Sequence, residues 1–271
     1  MAGKKVAKHK KDTQVAGPSA LQQAMADVAG AGNETLSSTD LAIPFLKILQ
    51  DLSPQTKKRD EQFVDGAEPG MFFETVTRSL WDGDEGVVAI PCHYLSMVNE
   101  WVKRTEGGGF VASHRDMPTA MASCQDHDTH DLIDTHQHAL LILLPDGTWG
   151  QAIFPMKSSA LKASRQWNSL VHGRKGRFID EDGSEQSYEL PRFFGTWRLK
   201  TAERTNDSGT FFVPRTPELE ATLDDMGEAG EALFESAFAF YRQCVAGETQ
   251  VDYRKMDETV AVSDDDDEIG F

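Results

Sequence analysis

The chain has 271 residues, with 44 Asp and Glu against 27 Lys and Arg, a net charge of −17 and a pI near 4.8. An apolar fraction of 39%, with fifteen Phe and five Trp, is enough to fill a core and excludes disorder throughout. The longest uninterrupted apolar run, Ala139 to Leu144, is too short for a membrane-spanning helix, and an integral membrane protein is excluded on that ground.

Residues 1 to about 35, rich in Lys, Ala, Gly and Gln, read as a mobile basic arm with one marginal helical stretch near Ser19 to Ala29. No apolar stretch of secretory length follows the basic start, so no signal peptide is expected. In Asp40 to Leu52 the spacing of Leu41, Phe45, Ile48, Leu49 and Leu52 predicts a helix after Pro44. Strands are predicted in Gly70 to Leu80, Glu85 to Leu95 and Gly109 to Ser113, with a hairpin turn at Trp81-Asp-Gly-Asp84. Residues 114 to 138 read as a polar, His-rich loop. Ala139 to Leu144 and Trp149 to Phe154 flank Pro145-Asp-Gly147, residues that suit a β-turn.

Ser158 to Val171 is the clearest amphipathic helix, with Ala160, Ala163, Trp167, Leu170 and Val171 on one side and Lys162, Arg165, Gln166 and Ser169 on the other. A loop, His172 to Arg177, and an Asp182-Gly183 turn follow. A further hairpin is predicted from Arg192 to Thr201 and Thr210 to Pro214, and helix from Glu218 to Ala246 in two pieces broken near Gly227 to Gly230. Many short strands with one inserted helix point to a small closed or partly open barrel.

The charge is uneven. Residues 1 to 12 carry +4, and Gly147 to Ile179 holds six cations and no acid. Pro217 to Glu235 contains seven acids and no base, and Glu248 onward contributes −7, so the two late segments supply −14 of the −17. Three widely separated Cys (Cys92, Cys124, Cys244) cannot build a disulfide framework and suit a reducing cytoplasm.

The chain ends Ser263-Asp264-Asp265-Asp266-Asp267-Glu268-Ile269-Gly270-Phe271, an acidic run closed by an aromatic residue and its carboxylate. A short linear ligand is built this way, because the ring enters an apolar pocket while the acids pair with basic residues at its rim. The tail resembles the C-terminal tip of bacterial and phage single-stranded DNA-binding proteins, where acids lead to Ile-Pro-Phe or to Phe alone. Asp265, Asp266, Asp267, Ile269 and Phe271 match, Gly270 stands for the usual Pro, and Glu268 is an extra acid. The resemblance implies an α+β, mainly β protein built on an OB-like five-stranded barrel with C-terminal helices, a disordered basic N-terminal arm and a disordered acidic C-terminal tail. It also implies coating of exposed strands in DNA replication, recombination or repair, and recruitment of replication or recombination proteins by Asp264 to Asp267, Ile269 and Phe271. The expected divisions are 1–35 (arm), 36–215 (binding domain), 216–247 (acidic helical extension) and 248–271 (tail).

Binding of single strands without sequence preference needs cations for phosphates and aromatic faces for bases. Alternation across Arg192 to Lys200 sorts Arg192, Phe194, Thr196, Arg198 and Lys200 onto one face and the core residues Phe193, Trp197 and Leu199 onto the other. Expected phosphate ligands are Lys162, Arg165, Arg174, Lys175, Arg177, Arg192, Arg198 and Lys200, with Phe194 and Trp149 stacking on bases. Trp167 and Cys92 belong in the core.

Cys124, His127, His130, His136 and His138 form a rival constellation that could hold Zn²⁺, either structurally or in a metal-dependent enzyme. Its spacing fits no familiar hydrolase or nuclease signature, and no phosphate-binding loop or nucleophile motif is present. The leading expectation is therefore noncatalytic, without cofactor, metal or membrane, a monomer or homodimer in a host cell's cytoplasm. An interaction protein that engages an enzyme through the acidic tail, without binding DNA, is the alternative.

Overall fold

The computed structural model describes residues 19–29, 31–34, 43–206, 209–249, 251 and 253. The basic arm's Lys4 to Lys11 and the terminal Asp264 to Phe271 lie outside these residues. The chain divides into two units, 1–40 and 41–271, and the described helix of the first is α1 (Ala20–Asp27), where the marginal helix was expected.

The second unit is α+β and mainly β. Its principal sheet has six strands in the order β13 (Glu218–Thr222), β10 (Gly195–Leu199), β4 (Val87–Val102), β6 (His130–Leu143), β7 (Trp149–Lys157), with β5 (Phe110–His114) paired to the far end of β4. A three-stranded sheet joins β1 (Leu46–Ile48), β2 (Phe72–Glu74) and β3 (Leu80–Trp81). Two separate hairpins are β8 (Lys175–Ile179) with β9 (Glu185–Glu189), and β11 (Thr201–Asn206) with β12 (Gly209–Pro214).

Alternation along the central strands explains the layering. Val87, Ala89, Leu140, Ile142, Ala152, Phe154 and Met156 enter one core with Leu46, Phe72, Trp167 and Trp197. Ile90, Cys92, Ala139, Leu141 and Ile153 enter a second with Phe193, Leu233, Ala237 and Phe240. The sheet is thus buried on both faces, by α3 (Leu161–His172) with β1 and β2 on one side and α4 (Glu228–Ala246) on the other. A small barrel closes around a single core. Here there are two cores, and β13 and β7 remain the ends of an open sheet, β7 being joined to the segment just before β1 by the parallel bridge Phe45–Ile153. The expected barrel is therefore replaced by a layered sheet.

Other expectations are corrected by pairing. The segment after Pro44 is strand β1, because Leu46 and Ile48 are drawn into register with Glu74 and Phe72. The first piece of the acidic helical extension is strand β13, paired with β10 from Gly195↔Thr222 to Arg198↔Glu218. The turn at Trp81 to Asp84 connects strands of different sheets and closes no hairpin. The polar loop of 114–138 contains α2 (Met117–Ser123) and the first nine residues of β6. The expected β6–β7 hairpin forms across Pro145 to Gly147, and α3 buries Ala163, Trp167 and Val171, whereas Leu170 is exposed. Tyr253 is buried against Phe45, Trp101 and Phe110, so packing continues past the end of α4.

Candidate nucleic-acid interface

The 3.6-residue period of α3 that buries Ala163 and Trp167 turns Lys162 and Gln166 toward the β11–β12 hairpin. That hairpin is fixed to the body by Gln50, whose Nε2 donates to the Phe212 carbonyl at 2.9 Å and whose Oε1 accepts from the Phe212 N–H at 2.8 Å. Thr216 Oγ1 donates to Gln166 Oε1 across the gap. Helix and hairpin enclose a cleft of about 590 Å³ with Ala163, Val213 and Pro214 among its apolar lining. Register sets Arg204 directly opposite Phe211, on one face of the hairpin. Lys162, Arg204 and Arg215 line the cleft together with Phe211; among the described residues no carboxylate lines it and none of the three cations makes an ion pair.

Of the ten DNA-binding residues expected from sequence, the structure brings only Lys162 to this cleft. Arg165 faces Asp134 at 3.9 Å, Arg177 pairs with Glu185 at 3.1 Å, and Arg198 pairs with Glu220 while donating to the Glu85 carbonyl at 3.0 Å. Arg174 and Lys175 are exposed, and Lys200 and Trp149 are half-buried. Phe194 is a core residue, edge-on to Trp197, and offers no face for a base. The expected alternation fails there because Arg192 to Phe194 form a bend before β10 begins. Arg204, Phe211 and Arg215 are not among the residues expected from sequence, because the expected hairpin joins Arg192–Thr201 to Thr210–Pro214, whereas the structure pairs Thr201–Asn206 with Gly209–Pro214 and so sets Arg204 against Phe211.

Arg192 serves a different end. Its guanidinium lies over the rings of Tyr94 and Trp167, and Nη2 donates to Asn168 Oδ1 at 2.8 Å and to His138 Nδ1 at 2.9 Å. Burial pulls the Arg192 pKa down to about 10, yet it remains protonated at neutral pH. This fixes a chain of donors. His138 Nδ1 must accept, so its Nε2–H donates to Ser164 Oγ at 2.7 Å, and the Ser164 hydroxyl is then free to donate to His136 Nδ1 at 2.8 Å. Burial, with Arg192 nearby, holds the His138 pKa well below its ordinary value, so His138 is neutral, stacked on Trp167. The network locks α3, which carries Lys162, onto β6.

The rival Cys/His constellation is split by β6. Extended chain rises about 3.3 Å per residue, so His130 stands over 20 Å from His138. His136 and His138 join the Ser164 network, and His127 is exposed. At the other end of β6, His130 Nδ1 and His114 Nε2 lie 2.6 and 2.7 Å from the two carboxylate oxygens of Glu100. The Glu100, Cys124 and His130 donor atoms all fall within 4.8 Å of one another. Burial pushes the Glu100 carboxyl up, but hydrogen bonds from His130, His114 and Cys124 outweigh it and leave the pKa below the usual value.

The protein is thus a layered, mainly β α+β protein with a basic cleft that no acid lines among the described residues. The chain belongs to the Pam3 phage gp34-like protein family, whose model matches residues 10–250, and so groups with phage proteins. No curated protein and no solved structure matches it significantly. Among the described residues no helix is long and apolar enough to cross a membrane.

Proposed function

We propose that this protein binds single-stranded DNA without sequence preference, as a noncatalytic strand-coating protein of phage replication, recombination or repair. The observation that carries this reading is the cleft between α3 and the β11–β12 hairpin, where Lys162, Arg204 and Arg215 stand beside Phe211 with no acid among the described residues that line it. Three cations supply phosphate contacts, and one half-exposed ring supplies a stacking face worth about 1–3 kcal/mol per base. An OB-like barrel is not needed for this chemistry. In this reading the tail from Asp264 to Phe271 recruits replication partners and competes with DNA for the cleft, the work being done in the host cytoplasm.

Titration of a fluorescent oligothymidine into the full chain tests the proposal. Binding at micromolar protein should weaken with salt, with a log–log slope near −0.7 per phosphate neutralised. A chain truncated after Val262 should bind more tightly. Absence of salt-sensitive binding in both forms overturns the reading and leaves the tail-mediated interaction protein.

A further inference from the structure

The far ends of β4 and β6 extend the sheet to the rim of the second core, where Met97, Trp101 and Phe110 pack, and they carry five-residue β5 and seven-residue α2. In this extension lies a group of donors drawn from consecutive elements. Glu100 is near the end of β4, His114 ends β5, Cys124 caps the C-terminus of α2 and His130 opens β6. We propose that Glu100, Cys124 and His130 bind a zinc ion that staples this extension together, with His114 steadying the Glu100 carboxylate from its other oxygen.

Three observations converge on this site. The donor atoms of Glu100, Cys124 and His130 already lie within 4.8 Å of one another, so side-chain adjustments of about an ångström reach the spacing set by zinc bonds of 2.0–2.3 Å. The Glu100 carboxylate is buried, and among the described residues no Lys or Arg pairs with it; its partners are the imidazoles of His114 and His130. A buried carboxylate needs a counter-charge, and a divalent ion held by one carboxylate, one thiolate and a neutral imidazole leaves the group uncharged.

The third observation is the loop built around the sulfur. The Asp126 backbone N–H bonds to Cys124 Sγ and so fixes where the sulfur stands. Asp126 in turn accepts from the N–H groups of Asp128 and Thr129 at 3.1 and 3.2 Å, and its carbonyl accepts from His130 at 3.0 Å. Lys103 ties the loop to β4, its N–H donating to the Thr129 carbonyl at 2.7 Å and its Nζ to the Asp128 carbonyl at 2.8 Å. Asp116 caps α2 through the Thr119 N–H at 2.9 Å, which fixes where the helix ends and hence where Cys124 stands. Thiolate with imidazole and carboxylate selects zinc over calcium or magnesium. Short elements such as β5 and α2 gain folding free energy from such a clip.

The test needs no DNA and is independent of the proposed function. Full-length protein purified from zinc-supplemented cells should carry about one equivalent of zinc, and chelation should lower its Tm. Replacement by cobalt should produce a thiolate-to-metal charge-transfer band. That band should persist in Cys244→Ser, whose thiol lies on α4, and vanish in Cys124→Ser. His130→Ala should lose the metal, and His114→Ala should retain it more weakly. Should Cys124→Ser fail to fold, wild-type metal content and the cobalt spectrum of Cys244→Ser still decide. Less than about a tenth of an equivalent of zinc with no charge-transfer band overturns the proposal.

Discussion

Two regions of this molecule each present three cations and exposed or half-exposed aromatic rings, and they are not equivalent. The α3 cleft has Lys162, Arg204 and Arg215 with Phe211; the β8–β9 hairpin and the residue before it have Arg174, Lys175 and Arg177 with Phe178 and Tyr188. In the hairpin, antiparallel pairing returns acids to the same surface. Lys175 stands opposite Glu189 and Arg177 pairs with Glu185, so much of the positive field cancels. In the cleft the residue opposite Arg204 is Phe211, and the one acid of β11, Glu203, belongs to the opposite face. Cross-strand register, rather than cations counted along the chain, decides which surface attracts phosphate.

The comparison breaks most visibly with Lys162→Ala/Arg204→Ala/Arg215→Ala. Three lost phosphate contacts should cut the magnitude of the log–log salt slope by about 2 and low-salt affinity for oligothymidine by roughly 100-fold or more. Lys162, Arg204 and Arg215 are all exposed, so far-ultraviolet circular dichroism should be unchanged. Unchanged affinity, with loss instead in Lys175→Ala/Arg177→Ala, would move the binding surface to the hairpin. Next in size is Phe211→Ala, expected to cost about 1–3 kcal/mol of binding. Phe211→Trp should keep most of it; equal losses in both would mean that Phe211 supports the hairpin instead of meeting bases.

A smaller effect comes from the polar network behind the cleft. His138 is held neutral in the folded protein, and in the unfolded chain it takes up a proton near its ordinary pKa of 6.5. Stability is therefore full above about pH 6.5 and falls as pH drops below it, by up to about 1.4 kcal/mol per pH unit for one proton. Burial also lowers the His93 and His136 values, with the same sign. Urea midpoints at pH 7, 6 and 5 should show a shallower acid dependence in His138→Gln than in wild type. An identical slope would remove His138 from the network that positions α3.

How much of this was legible in the sequence follows from the range of the interactions involved. The 3.6-residue stripe of Ala163, Trp167 and Val171 is local, and α3 and its core-facing Trp were readable. So was the β6–β7 hairpin, whose turn has Gly147 at φ +86°. The run from Gly147 to Ile179 is acid-free along the chain but not on the surface, because residues 175–179 form a hairpin with 185–189 where the local sequence reads as loop and turn, and this returns Glu185 and Glu189 to the same cations. The donor group Glu100, His114, Cys124 and His130 spans thirty residues and four elements, and only the folding of a loop-like segment into α2 and β6 brings it together. Strand β13 looked helical because its acids obscured a pairing that β10 imposes.

The hairpin itself gives the finest test of the contrast. Tyr188 crosses its partner strand over Gly176, where a Cβ would run into the ring, so aromatic surface is already exposed there and only the charge is missing. Glu185→Gln/Glu189→Gln removes the acid paired with Arg177 and the one opposite Lys175 without changing side-chain size. Exposed ion pairs are worth about 0–1 kcal/mol, so the fold should not suffer. If cancellation by register is what silences this surface, the double variant should bind oligothymidine severalfold more tightly at low salt, and its salt slope should steepen by up to about 1.4. The gain should also survive Lys162→Ala/Arg204→Ala/Arg215→Ala, because the two surfaces would then act independently. No gain in either background would show that cations on the hairpin cannot reach a strand whatever stands opposite them, and that the geometry of the cleft matters beyond its charge.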